Sequence, residues 1–137
     1  MKKACLLLFL LLFICSNPYI SDDVDYYCDD FNQFSKWFTE PVEYAYFFWL
    51  DGTVVRFTSY EWNTVSCAPI EAVVEITKRG YDIKSCFFII HNHLLPAGFS
   101  EPDRRFYRGI KKTGFQGLFL LYTDRGVFML RDNDGLD

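Results

Sequence analysis

The chain contains two histidines, and both lie in one short segment, His91-Asn92-His93. They close an apolar run, Cys86 to His91 (CFFIIH), which is bounded by polar residues and reads as a central strand buried on both faces. Side chains alternate along a strand, so residues two apart point to the same side and the two imidazoles can grip one ion. Ten residues past His93, Asp103 falls in the first turn of a helix signalled by Ser100-Glu101-Pro102-Asp103, with Ser as N-cap, an acid three residues later and Pro in the first turn. Its carboxylate can close a third ligand position and leave a fourth open to water, the arrangement of a catalytic zinc site. Zinc in such a site lowers the pKa of bound water to about 7, and a nearby carboxylate must then move the proton. The structural alternative is two ordinary polar histidines at a strand end, with Ser100 and Asp103 forming only a capping box.

Several elements must position these groups. Val42 to Leu50 (VEYAYFFWL) has strand composition, Asp51-Gly52 is a hairpin turn, and Thr53 to Tyr60 returns as a second strand. Pro69 to Arg79 reads as a helix with Pro in its first turn, Gly80 as its stop, and Ile70, Val73, Val74 and Thr77 at helical spacing. The helix begun at Ser100 runs to about Thr113, ended by Gly114; Gly117 to Thr123 and Val127 to Arg131 then flank Asp124-Arg125-Gly126 as a closing hairpin. The expected order is strand, strand, helix, strand, helix, strand, strand: an α/β layered domain with a mixed central sheet flanked by helices, spanning 41–132, with a short tail at 133–137. Ahead of it, 21–40 reads as a leader. Ser21 to Asp30 holds five Asp and looks like solvated charge, and Phe31 to Phe38 suits a short amphipathic helix with Phe31, Phe34, Trp37 and Phe38 on one face.

The string His91-Asn92-His93-Leu94-Leu95-Pro96-Ala97-Gly98-Phe99-Ser100-Glu101-Pro102-Asp103 resembles the H-x-H-P-x6-S-x2-D signature of the JAMM (MPN-type) metalloproteases, and its opening resembles the HNHPSG run of their RadC-like bacterial branch. It is unlike an HNH nuclease, whose residues are dispersed along the motif. The likeness extends over roughly Glu43 to Arg131: Glu43 opens a strand ending in Leu50-Asp51, as in RadC-like domains, and Pro69 to Arg79 feeds the metal strand. Two departures stand out. Leu94 replaces the Pro that follows the second His, and six residues rather than seven separate His93 from Ser100.

The resemblance implies an MPN/JAB-like (cytidine-deaminase-like) fold and one zinc per chain held by His91, His93 and Asp103. It also implies Glu43 as general base acting through the metal-bound water and Ser100 as a group that helps hold the tetrahedral oxyanion. Glu61, Glu71 and Glu75 compete for the role of base, the latter two suiting an exposed helix face. The activity implied is cleavage of a peptide or isopeptide bond in a peptide or protein substrate. The alternatives are a non-catalytic MPN-like or RadC-like binding scaffold, or a secreted effector on the same fold.

Length and charge narrow the field further. The chain has 137 residues, 50% hydrophobic and 23% charged, which suits one domain with a sizeable core. Fourteen basic against eighteen acidic residues leave no broad basic face, so nucleic acid is not an expected partner. Fifteen Phe, nine Tyr and three Trp are more than so small a core hides completely, and Tyr44, Tyr46, Phe48 and Trp49 either border a groove or pack within the sheet. Arg104 and Arg105 read as a solvated helix face with one of them pairing an acid.

The first twenty residues read as a signal peptide. Met1-Lys2-Lys3 is a short positive region, and Ala4 to Cys15 is a twelve-residue apolar run, short of the roughly 20 residues a spanning helix needs. Cleavage is expected near Asn17 to Ser21, giving a periplasmic or secreted chain with no membrane span; a lipid on Cys15 is the minor alternative, with Ile14 where a small residue belongs. Export leaves Cys28, Cys67 and Cys86 in an oxidising compartment, where one bridge and one buried thiol are expected with the pairing open.

Overall fold

A computed structural model describes residues 19, 21–29, 34–58 and 68–132. Six strands form one mixed sheet: β1 (Val24–Cys28), β2 (Ala45–Phe48), β3 (Val54–Phe57), β4 (Phe88–Asn92), β5 (Leu118–Thr123) and β6 (Gly126–Leu130). Among the described residues they are accompanied by the α-helices α1 (Pro69–Lys78) and α2 (Glu101–Lys112), with 3-10 turns at Ser35–Trp37 and Ile83–Ser85. The order across the sheet is β1-β6-β5-β4-β2-β3. Only β4 and β5 run parallel, because parallel neighbours require a crossover, and α2 provides it. The crossover puts the N-terminus of α2 beside the carboxyl end of β4, the end at which α/β sheets build their sites.

The α/β class and mixed sheet expected from the sequence are present, and the elements expected from Val42 to Arg131 occur in the expected order with ends shifted by no more than three residues among the described residues. The two turns expected from Asp51-Gly52 and Asp124-Arg125-Gly126 join β2 to β3 and β5 to β6. At the first, Gly52 has φ 90, and the Asp51 carboxylate accepts from the Thr53 N–H at 2.9 Å.

Four expectations need correction. The acidic leader is in part a strand: β1 pairs antiparallel with β6, with Val24 buried opposite Leu130. Two of its acids are paired rather than merely solvated. Asp25 meets Arg131 at 3.3 Å, and Asp23 takes a two-pronged grip from Arg104, Nε to Oδ2 at 3.0 Å and Nη2 to Oδ1 at 2.8 Å. The Asp residues suit this edge strand because charge there discourages pairing with other chains.

Second, the sheet is flanked unequally. Both α1 and α2 pack on one face, where Ala72, Ile76, Tyr107 and Ile110 meet Phe47, Ile89, Phe119 and Leu121. The opposite face, Tyr44, Tyr46, Phe88, Ile90 and Leu120, is covered by Phe34, Trp37 and Phe38. Phe34 is α-helical and runs into the 3-10 turn Ser35–Trp37, so the helix expected from Phe31 to Phe38 is present in its described part, short of Phe38; 31–33 lie outside the described residues. Tyr44 and Tyr46 are accordingly packed and buried under this cover, and Trp49 is buried on the helix-bearing face.

Third, α1 presents a different stripe. Ala72 and Ile76 are buried while Ile70 and Val74 are 63% and 44% exposed. The helix is turned by its approach to α2: a Cβ on Gly109 would stand 2.7 Å from Pro69 Cγ, so the line 69, 72, 73, 76 faces inward.

Fourth, Cys28 and Cys86 are free thiols. β6 and β5 lie between β1 and β4, which separates the two cysteines by roughly 14 Å of strand spacing, beyond disulfide reach. Cys67 lies outside the described residues. Burial pushes the Cys86 thiol up to about 12, and it donates to the Phe88 carbonyl at 3.4 Å.

Near the N-terminus, Tyr19 stacks on Phe128 at 5.2 Å and its hydroxyl donates to Asp124 at 2.7 Å.

Arg104 ties this N-terminal segment to α2, since its Nη1 also donates to the Phe99 carbonyl at 2.6 Å. Arg104→Ala is expected to cost about 2 kcal/mol, read as a lower denaturant midpoint, with Arg104→Lys recovering only part because it lacks the fork. The Arg104 guanidinium, working against partial burial, holds the Asp23 carboxyl at about 2 instead of 3.8. A lowered folded-state value means that this contribution is present above pH 3.8 and is lost as pH falls toward 2. Asp23→Asn should flatten that part of the acid unfolding curve.

Candidate metal centre

β4 ends at Asn92, and its last turns of pleat carry His91 and His93 to the helix-bearing side, where His91 lies among the rings of Phe99 and Phe119 at 5.7 and 5.3 Å. The loop 94–99 then leads to α2, whose capping box is complete. Ser100 Oγ accepts from the Asp103 N–H at 3.2 Å, and Asp103 Oδ2 accepts from the Ser100 N–H at 2.7 Å. The cap does not compete with ligation; it aims the carboxylate. Asp103 Oδ1 stands 3.3 Å from His91 Nε2 and Oδ2 stands 3.1 Å from His93 Nε2.

The protonation pattern shows why these groups suit a cation. His91 Nδ1 lies 2.9 Å from the Leu120 carbonyl and His93 Nδ1 lies 3.2 Å from the Ala97 carbonyl. A carbonyl can only accept, so each Nδ1 carries a hydrogen and each ring turns its Nε2 toward the carboxylate, the atom that can ligate a cation once it carries no proton. Three ligand atoms therefore converge on one point. Among the described residues His91 Nε2 is buried and has no hydrogen-bond partner of good geometry, its polar neighbour being Asp103 Oδ1 at 3.3 Å. The ligand atoms of His91, His93 and Asp103 all lie within 4.8 Å of one another, and the group could hold a metal ion. The two nitrogen-to-carboxylate separations are close to the ~3.3 Å between ligand atoms around a tetrahedral ion with ~2.0 Å bonds.

Electrostatics follow the same geometry. Burial alone would raise the Asp103 carboxyl, but the two imidazoles and the Ser100 N–H outweigh it and hold the group far below the usual carboxylate range. Burial would lower His93; the Asp103 carboxylate, the Ala97 carbonyl and Glu43 raise it instead. Ion binding must expel that proton. Zinc affinity is therefore expected to fall as pH is lowered through the raised His93 value, by about tenfold per unit for one displaced proton, as calorimetry from pH 8 to 5 would measure.

Beside the group lies a cavity of about 520 Å³. Glu43 and Ser100 line it together with His91, His93 and Asp103, so the five residues marked by the sequence share one space. Register explains the placement of Glu43. Ala45 pairs with His91 across β2 and β4, and Glu43, two residues earlier, follows the same face toward His93. Burial pushes the Glu43 carboxyl up, partly countered by the two imidazoles. The competing acids sit elsewhere: Glu71 accepts from the Ala68 N–H at 3.2 Å, and Glu75 pairs with Lys78 at 3.1 Å. Glu61 lies outside the described residues. The remaining walls are apolar, with Phe47, Phe57, Phe106 and Phe119, and no Lys or Arg appears among the described lining residues.

Sequence reading overlooked three contributors. The Leu120 and Ala97 carbonyls, which set the imidazole tautomers, carry no residue-type signal. Asn92 does: it accepts from the Tyr44 N–H at 2.8 Å and donates to the Val42 carbonyl at 3.3 Å, and its place between two histidines was available as a cue.

The fold and site together define an α/β protein with a His-His-Asp group at the carboxyl end of its central parallel strand. Comparison with protein-family models, curated proteins and solved structures gives no significant match.

Proposed function

We propose that this protein is a zinc-dependent hydrolase that cleaves a peptide or isopeptide bond, built on the MPN/JAB-like pattern of the JAMM metalloproteases and nearest in motif to their RadC-like branch. The observation that carries the reading is the convergence of His91 Nε2, His93 Nε2 and the Asp103 carboxylate on one point, with each ring's Nδ1 held by a backbone carbonyl. His91, His93 and Asp103 would hold the ion. A zinc ion there supplies Lewis acidity, which acidifies water and polarises a scissile carbonyl.

The chain's own groups do the rest. Glu43, half-buried in the cavity wall, accepts the proton of the attacking water and delivers it to the leaving amine; a carboxyl raised by burial is better matched to both tasks near neutral pH. Ser100 Oγ accepts from the Asp103 N–H, and its own hydroxyl proton is not used by that cap, so it can donate to the developing oxyanion. Apolar walls favour uncharged side chains next to the cleaved bond. The sequence supports export as the cellular context, and among the described residues no helix is long and apolar enough to cross a membrane.

The test is direct. Untagged protein loaded with zinc is incubated with a tryptic peptide mixture, with and without chelator, and products are read by mass spectrometry. Zinc-dependent cleavage that ceases on chelation is expected. A zinc-loaded, folded protein that leaves every peptide intact would remove the hydrolase reading and favour a binding scaffold.

A further inference from the structure

The middle residue of the His91-Asn92-His93 segment takes no part in the metal group, yet it is only 4% exposed and its carboxamide is engaged at both ends. β2 and β4 pair residue by residue as far as Ala45 opposite His91. Beyond that register the backbone ladder stops, and the Asn92 side chain takes over. Its Oδ1 accepts from the Tyr44 N–H at 2.8 Å and its Nδ2 donates to the Val42 carbonyl at 3.3 Å. Those two backbone groups flank Glu43, whose own carbonyl accepts from Thr58 Oγ1 at 2.9 Å. Among the described residues, the main chain that carries Glu43 is thus tied to the metal-bearing strand by the Asn92 carboxamide.

We propose that Asn92 is a positioning residue that sets the Glu43 carboxylate against the metal group, an inference that rests on the metallohydrolase reading above. The chemistry needs this side chain. A carboxamide offers an acceptor and a donor together; Asp at 92 could accept from Tyr44 but not donate to Val42, and an aliphatic residue could do neither. Strand geometry makes the arrangement economical, because the pleat that sends residues 91 and 93 toward the ion leaves residue 92 free to reach the neighbouring strand. Ligands and base are locked into one register by three consecutive residues.

The experiment compares zinc-loaded wild type with Asn92→Ala, measuring zinc content, kcat and KM on a cleaved peptide, and the position of Glu43 in crystals of both. The expected result is unchanged zinc content, KM within about twofold, kcat lower by about 100-fold, and the Glu43 carboxylate displaced by about 1 Å, since a misplacement of that size in a catalytic group has that consequence. Asn92→Asp, which removes only the Val42 bond, should move in the same direction by less and serves if the alanine variant does not fold. Glu43 unmoved with kcat unchanged would overturn the inference, as would zinc lost together with turnover, because Asn92 would then be supporting the ligands. If wild type binds zinc and cleaves nothing, the hydrolase reading fails, and the crystals alone decide: an unmoved Glu43 overturns the positioning role and a displaced one sustains it.

Discussion

Zinc added to metal-free protein should raise its melting temperature by about 15–30 °C, and His93→Ala should erase the rise. The estimate rests on linkage. A ligand that binds only the folded state at about 1,000 times its dissociation constant stabilises by about 4 kcal/mol, and each kcal/mol moves the midpoint of a domain near 100 residues by about 4–8 °C. The effect should be large because folding alone brings the three acceptors together; the unfolded chain holds His93 and Asp103 ten positions apart with no reason to meet. His93 is the better residue to remove than His91. It lies at the exit of β4, whereas the His91 ring packs against Phe99 and Phe119, so its loss would mix metal effects with a core cavity. Calorimetric scans of both proteins with and without zinc measure the shift. A wild-type midpoint unmoved by millimolar zinc would show that the converging acceptors share protons and hold no ion.

Glu43→Gln should keep zinc and lose about 10³ in kcat, within the range a general base contributes. Glutamine preserves the length and shape of the side chain in the cavity wall and keeps the backbone contacts to Asn92 and Thr58. What it cannot do is accept a proton. Loss of turnover with retained zinc would thus isolate proton transfer from ion binding and from folding. Turnover within about tenfold of wild type would move the base elsewhere. Glu71 and Glu75 are occupied on α1 with Ala68 and Lys78, so Glu61→Gln would be the next variant to measure.

The two variants also separate the hydrolase from a scaffold. A binding module that uses the ion structurally would lose stability with His93→Ala and show no distinguishable change with Glu43→Gln. A hydrolase shows both effects, one in the melting curve and the other in kcat.

Reading the sequence was most effective where local rules and tertiary context agree. Within the run CFFIIH, Phe88 to His91 are buried because β4 lies inside the sheet with neighbours on both sides, while Phe87, just ahead of the strand, is exposed. Ser100 and Asp103 announced the start of α2 because a capping box is a contact over three residues, closed before any tertiary structure forms. Reading failed where distant partners decide. Five Asp in ten residues look like solvated charge until Arg104 and Arg131, more than eighty positions away, neutralise two of them and let Val24 turn inward. The inward stripe of α1 was likewise invisible, since Ile70 and Val74 are apolar yet Gly109 of another helix decides which side is pressed inward.

What the sequence by itself determined is the order of strands and helices from Val42 onward, and the identity and spacing of two imidazoles and a carboxylate around one strand-to-helix junction. These depend on pleat, period and capping, which act over a few residues. Tertiary structure alone decided that Leu120 and Ala97 would fix the tautomers, that β2 would lie antiparallel to β4 in the register that brings Glu43 beside them, and that Asn92 would hold it there. The reason is physical: backbone carbonyls are the same at every position, and only the folding of β2 and β5 against β4 selects which of them faces an imidazole.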